Sequence, residues 1–330
     1  MVIPYHRPTG FGVGLPLAGG PFLFSQVAIG HRDGPTEVVP VADVAPAVRE
    51  RLTRPRPLLA RLFPALAGRT AVMGILNVTP DSFSDGGRHA APEAARAAAQ
   101  AMAAAGADLI DIGAESTRPG AAPVDLATER ARLAAVLPGL AGLAWSIDTR
   151  KAAVMGDALA AGAMLVNDVS ALGHDPAALA LVAASNAPVV LMHAQGDPQT
   201  MQQAPHYEDA LFDVFDWLAV RIAICEAAGI ARDRIIVDPG IGFGKTLDHN
   251  LALLRGLALF HDLGVPVLLG ASRKQLISRM AGEVPPDERL PGSLALALHA
   301  AANAVQIVRV HDVAATVQAL SVWHSATALR

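Results

Sequence analysis

From residue 71 onward the chain repeats one beat eight times: a short apolar run, then a longer Ala- and Leu-rich segment. The runs are AVMGIL (71–76), DLIDIG (108–113), AWSID (144–148), AMLVN (163–167), PVVLM (188–192), RIIVD (234–238), VPVLLG (265–270) and AVQIVRV (304–310). The segments between them carry helical periodicity and abundant Ala, a strong helix former. Parallel strands covered by helices on both faces read as nearly continuous apolar runs. Eight such units in about 260 residues match the ~250 residues of a (β/α)8 barrel. An open doubly wound sheet has the same beat, so the repeat by itself leaves both architectures open. The predicted fold class is therefore α/β, and the polar ends of these runs favour a TIM barrel over residues 71–330.

Residues 1–70 lack the beat and are predicted to form a small β-rich extension. PFLFSQVAI (21–29) and TEVVPV (36–41) flank a turn at Gly34 and read as a β-hairpin. APAVRERL (45–52) suits a short helix. TRPRP (53–57) reads as a linker, because a residue before proline avoids helical angles. The expected role is structural, such as covering the barrel floor or an interface.

Composition raises a membrane question: 52% of residues are hydrophobic and the mean hydropathy is +0.37. A span needs ~20 mostly apolar residues. The long uncharged stretch from Pro8 to Gly30 is broken by Gly and Pro, and Leu290–Val308 contains Pro291, His299, Asn303 and Gln306. Neither is a spanning helix, and the N-terminus lacks signal-peptide character. Cys225, the single cysteine, permits no internal disulfide. A net charge of −4 argues against a nucleic-acid binder. A cytoplasmic protein is expected.

Six apolar runs end on or near polar groups: Asn77, Asp148, Asn167, Asp238, Lys274, and Arg309 with His311. One such residue is most often a turn former or helix cap. Six are better explained by a barrel, whose strands all place their C-terminal ends on the face where active sites sit. After the first run, MGILNVTPDSFSDGG (73–87) becomes a polar loop. Its acceptors Asn77, Asp81 and Asp85 suit a hard ion such as Mg2+ or a cationic centre.

That loop resembles the signature of the dihydropteroate synthase family. DIGAESTRPGA (111–121), SIDT (146–149), VNDV (166–169), LMHAQG (191–196), DPGIGFGK (238–245), SRK (272–274) and RVHD (309–312) resemble further family motifs, in the family's order. The resemblance covers the chain from about residue 71 to the end, and the 1–70 extension departs from it. It implies condensation of 6-hydroxymethyl-7,8-dihydropterin pyrophosphate with p-aminobenzoate, giving 7,8-dihydropteroate and pyrophosphate.

The resemblance implies three subsites. Asp148, Asn167, Met192, Asp238 and Lys274 would bind the pterin, whose amino group, ring N–H groups and carbonyl need carboxylate acceptors, an amide and a cationic donor. The rival reading of these residues is a buried Lys274–Asp salt bridge. Asn77, Arg309 and His311 would bind pyrophosphate, with Mg2+ on Asn77; the Arg fork matches phosphate oxygens. Phe83, Thr117, Arg118, Pro119, Phe243 and Gln275 would bind the aminobenzoate. The family often has Ser where Gln275 stands, which predicts altered sulfonamide sensitivity, and Gly where Ala114 stands. Asp85, and Asp81 beside it, would lie over the pterin cation as pyrophosphate departs, so Asp85, Asn77, Lys274, Arg309 and His311 are the expected catalytic set.

GFGKT (242–246) ends like a phosphate loop, but Pro239 occupies the position of the first glycine, so no ATP site is predicted. No zinc pattern is present. The competing functions are a pterin-binding methyltransferase and a non-catalytic pterin-binding paralogue. The expected partners are small-molecule substrates, with no nucleic acid and no membrane. A homodimer through the last helices fits the family.

Overall fold

The computed structural model describes residues 4–66, 68–78, 87–116, 120–196 and 200–327, without the side chains of 87–91. The chain opens with strands β1 (Tyr5–Pro16), β2 (Leu23–His31) and β3 (Gly34–Pro40), then helices α1 (Pro46–Thr53) and α2 (Pro57–Leu62). The strands form an antiparallel sheet in the order β1-β2-β3. The hairpin expected around Gly34 is β2–β3. Strand β1 was not foreseen, because Pro8, Gly10, Gly12 and Gly14 read as turn residues. It is an edge strand, where Pro and Gly are tolerated. Its pairing with β2 shifts register between Phe11 and Leu15, as at a bulge. The expected linker at 53–57 is not free chain. Arg56 is buried, and its guanidinium donates to the carbonyls of Arg54 and Arg51 at 2.8 and 3.0 Å.

All eight strands of the beat are present: β4 (Ala71–Asn77), β5 (Leu109–Gly113), β6 (Trp145–Asp148), β7 (Leu165–Asp168), β8 (Val189–Met192), β9 (Ile235–Asp238), β10 (Leu268–Leu269) and β11 (Ile307–Val310). The helices between and after them are α3 (Gly87–Ala104), α4 (Leu126–Ala134), α5 (Ala152–Ala160), α6 (Ala178–Ala184), α7 (Ala210–Ala227), α8 (Leu247–Arg255), α9 (Gln275–Ala281), α10 (Leu290–Ala302) and α11 (Val313–Thr327). The strands are parallel, in the order β10-β11-β4-β5-β6-β7-β8-β9. A parallel bridge between Val237 and Val267 joins the two ends of that order. The sheet is therefore a barrel, not an open doubly wound sheet. No helix among the described residues is long and apolar enough to cross a membrane. The apolar excess instead fills strands buried on both faces and the small-residue helix contacts around them.

The extension is bound to the barrel by specific chemistry. The Tyr5 ring stacks on Phe212 of α7 at 4.0 Å, and its hydroxyl donates to Asp216. Arg32 spans Asp213 and Asp216, each at 2.6 Å. Asp262 accepts from His6 and Arg51. Below the strands, Leu58, Leu62, Phe63 and Leu66 pack with Ala71, Met73, Leu109, Leu165, Val190, Ile236, Leu268 and Ile307. Most of these lie in the first half of their strands, so the 58–66 segment closes the barrel's N-terminal end. Leu58 is 2% exposed, and Leu58→Ala is expected to cost about 2–5 kcal/mol. A denaturant melt checks this; an unchanged midpoint would show that the segment is not core.

Candidate active site

The C-terminal ends of the strands enclose a cavity of about 460 Å³. Asn77, Asp148, Asn167, Met192, Asp238 and Arg309 line it from strand ends, with Lys274 and His311 from the loops beyond and Gln275 from the start of α9. Sequence reasoning expected this convergence, and the register provides it. Asp148 lies beside Asn167 on one side and Gly113 on the other. A Cβ on Gly113 would come within 3.3 Å of the Asp148 Cβ, so the glycine leaves room for the carboxylate.

Arg309 is the electrostatic centre. Its Nε donates to Asp111 Oδ2 at 2.6 Å, and its Nη2 to Asp148 Oδ2 at 2.7 Å. Asp111 also accepts from Ser146 Oγ at 2.6 Å and Asn167 Nδ2 at 2.8 Å. With its Nδ2 turned to Asp111, Asn167 presents its carbonyl oxygen elsewhere; the network sets that orientation. Asp111 was not singled out from the sequence. The available signal was a carboxylate inside an apolar strand run, which is buried only when paired.

The expected alternative, a Lys274–Asp salt bridge, does not form among the described residues. Asp111 and Asp148 are taken by Arg309 instead. Lys274 donates to the Ile241 carbonyl and lies over the Phe243 ring, 4.5 Å from its centroid. Burial pushes the Lys274 ammonium down, Asp238 pulls it up and Arg309 pushes it down again, leaving it at about 8. Asp238 accepts from the Gly240 N–H through Oδ1 at 2.7 Å. Its Oδ2 makes no protein hydrogen bond among the described residues. Burial raises this carboxyl, opposed by Lys274, the Gly240 N–H and Arg309. Burial also raises Asp148, against the pull of the Arg309 guanidinium.

His311 lies just past β11 and meets Ser272 Oγ through its backbone N–H at 3.2 Å and its Nδ1 at 3.1 Å. Arg309 Nη1 has no protein partner among the described residues. Asn77, Arg309 and His311 therefore all border the cavity, although two guanidinium nitrogens already hold carboxylates. Gln275 is the first residue of α9. Asp81, Phe83, Asp85, Thr117, Arg118 and Pro119 lie outside the described residues.

Two further cavity-lining groups were missed by the sequence reading. Glu115 pairs with Arg150 at 3.0 Å and Lys151 at 2.9 Å, and accepts from the Val124 N–H. Lys151 also pairs with the buried Glu129. This network fastens Glu115 and Val124 to the chain just after Asp148. The second group is Lys245, 1% exposed, which the sequence offered only as part of a false phosphate loop.

A metal needs donors. No cluster of three or more His, Cys, Asp or Glu side chains suited to a metal occurs among the described residues. Asn77 supplies one amide oxygen at the cavity wall. That set fits a Mg2+ ion held mainly by substrate phosphates and water, its usual manner of binding.

A sequence profile of the pterin binding enzyme family matches residues 73–311. The dihydropteroate synthase of Escherichia coli (strain K12) is 48% identical over 254 residues, covering 76% of this chain and 89% of that protein. The Xanthomonas albilineans dihydropteroate synthase solved with 4-aminobenzoic acid superposes with a TM-score of 0.75 at 49% identity, covering 79% of this chain and 94% of that one. The Burkholderia cenocepacia dihydropteroate synthase complexed with 7,8-dihydropteroate gives 0.71 at 46% identity, covering 79% and 92%.

Proposed function

The chain belongs to the pterin-binding enzymes, among the dihydropteroate synthases, and from that premise we infer that it condenses 6-hydroxymethyl-7,8-dihydropterin pyrophosphate with p-aminobenzoate. The observation that carries this reading is the cavity itself. It joins carboxylate and amide oxygens of Asp148, Asn167 and Asp238, without a protein partner among the described residues, to the cations Lys274 and Arg309, matching a pterin edge that bears a pyrophosphate.

In this reading Asp238 Oδ2, Asp148 Oδ1 and the Asn167 carbonyl accept from the pterin's amino and ring N–H groups. Lys274 donates to its carbonyl side, and Met192 packs on the ring. Arg309 Nη1, His311 and Asn77 hold the pyrophosphate and stabilise charge as it leaves. Asn77 would help hold Mg2+ beside the pyrophosphate, and the ion would supply further charge neutralisation. The methylene C–O bond breaks, and both of its electrons leave with pyrophosphate. The aminobenzoate nitrogen forms the new C–N bond and gives up a proton. Phe243 and Gln275, with Phe83, Thr117, Arg118 and Pro119, form the aminobenzoate side. Asp85, with Asp81 beside it, faces the pterin cation, and excluding water protects that cation from hydrolysis.

Pyrophosphate release requiring both substrates and Mg2+ tests the reading. A methyltransferase would release none, and a non-catalytic paralogue would bind the pterin without turnover. Asp85→Asn is expected to lower kcat more than pterin affinity; equal losses would make Asp85 a binding residue only. Steady-state inhibition of Gln275→Ser by a sulfonamide is expected to differ from that of the parent chain, and an identical inhibition constant would remove Gln275 from the subsite.

The pH profile follows from Lys274. Its charge is present below about 8 and lost above it, so kcat/KM for the pterin substrate should fall as pH rises through that value. Lys274→Arg, which stays charged, should lose that alkaline fall. A flat parent profile from neutral pH to well above 8 would contradict the role. The same reading places the enzyme in the cytoplasm as a homodimer through α10 and α11, which pack on each other; sedimentation of the full chain checks the dimer.

A further inference from the structure

The motif that imitates a phosphate loop has a different use. Gly240, Gly242 and Gly244 all have positive φ, at 68°, 85° and 60°. A Cβ on Gly240 would fall 1.9 Å from the His193 carbonyl, and one on Gly244 would fall 2.2 Å from the Gln195 carbonyl. The glycines thus let the 239–244 loop lie against the chain leaving β8. The lysine that follows turns inward and is buried.

Lys245 Nζ meets His193 Nδ1 at 2.9 Å, the Gly240 carbonyl at 2.9 Å, the Phe243 carbonyl at 3.0 Å and the His193 carbonyl at 3.4 Å. No carboxylate bonds to it among the described residues. Burial lowers this amine well below its usual range, and it lowers the His193 ring to about 2, leaving the imidazole neutral. A buried, low-pKa lysine in a cavity wall can serve as a nucleophile. Here the amine is instead enclosed by three carbonyls and a ring nitrogen, the environment of a tie between two segments. Tyr207 and Gln202 hold the same loop from outside, donating to the Gly244 and Gly242 carbonyls at 2.8 and 2.6 Å.

What the loop carries is specific. Its Ile241 carbonyl accepts from Lys274, and its Phe243 ring lies under the same ammonium. We propose that Lys245 is a positioning residue: by tying the 239–244 loop to the end of β8, it sets Ile241 and Phe243 so that Lys274 points into the cavity. His193 is its partner in that tie. This rests on the pterin-site reading of Lys274.

A double-mutant cycle tests it. Lys245→Met, Lys274→Met and the double variant are compared by kcat/KM for the pterin pyrophosphate at saturating aminobenzoate. Lys245→Met is expected to lose about 10–100-fold, and the double variant should be no more than about threefold worse than Lys274→Met, because contacting residues are non-additive. Losses that multiply, or a folded Lys245→Met of undiminished activity whose loop has not moved, would overturn the proposal. A crystal structure of Lys245→Met separates the two layers. A displaced loop with Lys274 swung away but activity intact refutes the role of Lys274 in the site and leaves the tie standing; an unmoved loop refutes the tie. Should Lys245→Met not fold, Lys245→Gln, which keeps one amide donor, runs the same cycle with the same outcomes.

Discussion

Arg309→Met is expected to lower kcat/KM by about 10²–10³-fold and stability by about 3–5 kcal/mol. The two losses have one cause. Arg309 compensates Asp111, which is fully buried, and Asp148, which is 8% exposed. Removing the guanidinium leaves two neighbouring buried carboxylates without a cation, and that is far costlier than losing the pair as a whole. It also leaves Asp111 with Ser146 Oγ and Asn167 Nδ2 as its remaining donors among the described residues, and removes the Nη1 donor proposed for pyrophosphate. Arg309→Lys should recover part of the stability and less of the activity, since one ammonium does not reproduce a fork over two acceptors. Urea denaturation with steady-state kinetics reads both. A Met variant as stable as the parent would show that Arg309 does not hold the carboxylates.

Asp238→Asn is expected to weaken binding of the pterin pyrophosphate by about 10²–10⁴-fold, the loss of a charge-assisted acceptor together with a donor left facing donors. It is expected not to lower the stability of the ligand-free protein. Oδ1 can still accept from the Gly240 N–H. Burial raises the Asp238 carboxyl, so its ionised form costs stability as pH rises through the folded value, and a neutral amide removes that cost. Lost affinity with a maintained melting temperature would mark Asp238 as a group kept for ligand. Titration calorimetry and thermal melts decide; unchanged affinity would exclude it from the pterin site.

These residues also show what the sequence could reveal. The barrel was legible because parallel strands buried on both faces leave continuous apolar runs, and each of the eight became a strand. The convergence of Asp148, Asn167, Asp238 and Arg309 was legible because a parallel barrel puts all its strand ends on one face. Pairing was not. The sequence offered a Lys274–Asp salt bridge only as a rival reading and named no partner for Arg309, but the β11–β4–β5–β6 neighbourhood brings Arg309 to Asp111 and Asp148. Strand β1 was hidden because its Gly and Pro residues signal turns unless the strand lies at an edge. Lys245 was hidden because a glycine-rich loop ending in lysine has two uses, and only the turn of the side chain distinguishes them.

The most direct test of the account uses aminobenzoate carrying 15N in its amine, turned over by the full chain with the pterin pyrophosphate and Mg2+. Mass spectrometry of the pterin product and quantification of pyrophosphate are made on the same sample. The expected product is 7,8-dihydropteroate containing one 15N, with one pyrophosphate released per product. Pyrophosphate released with only hydroxymethyl-dihydropterin formed, or no pyrophosphate at all, would contradict it.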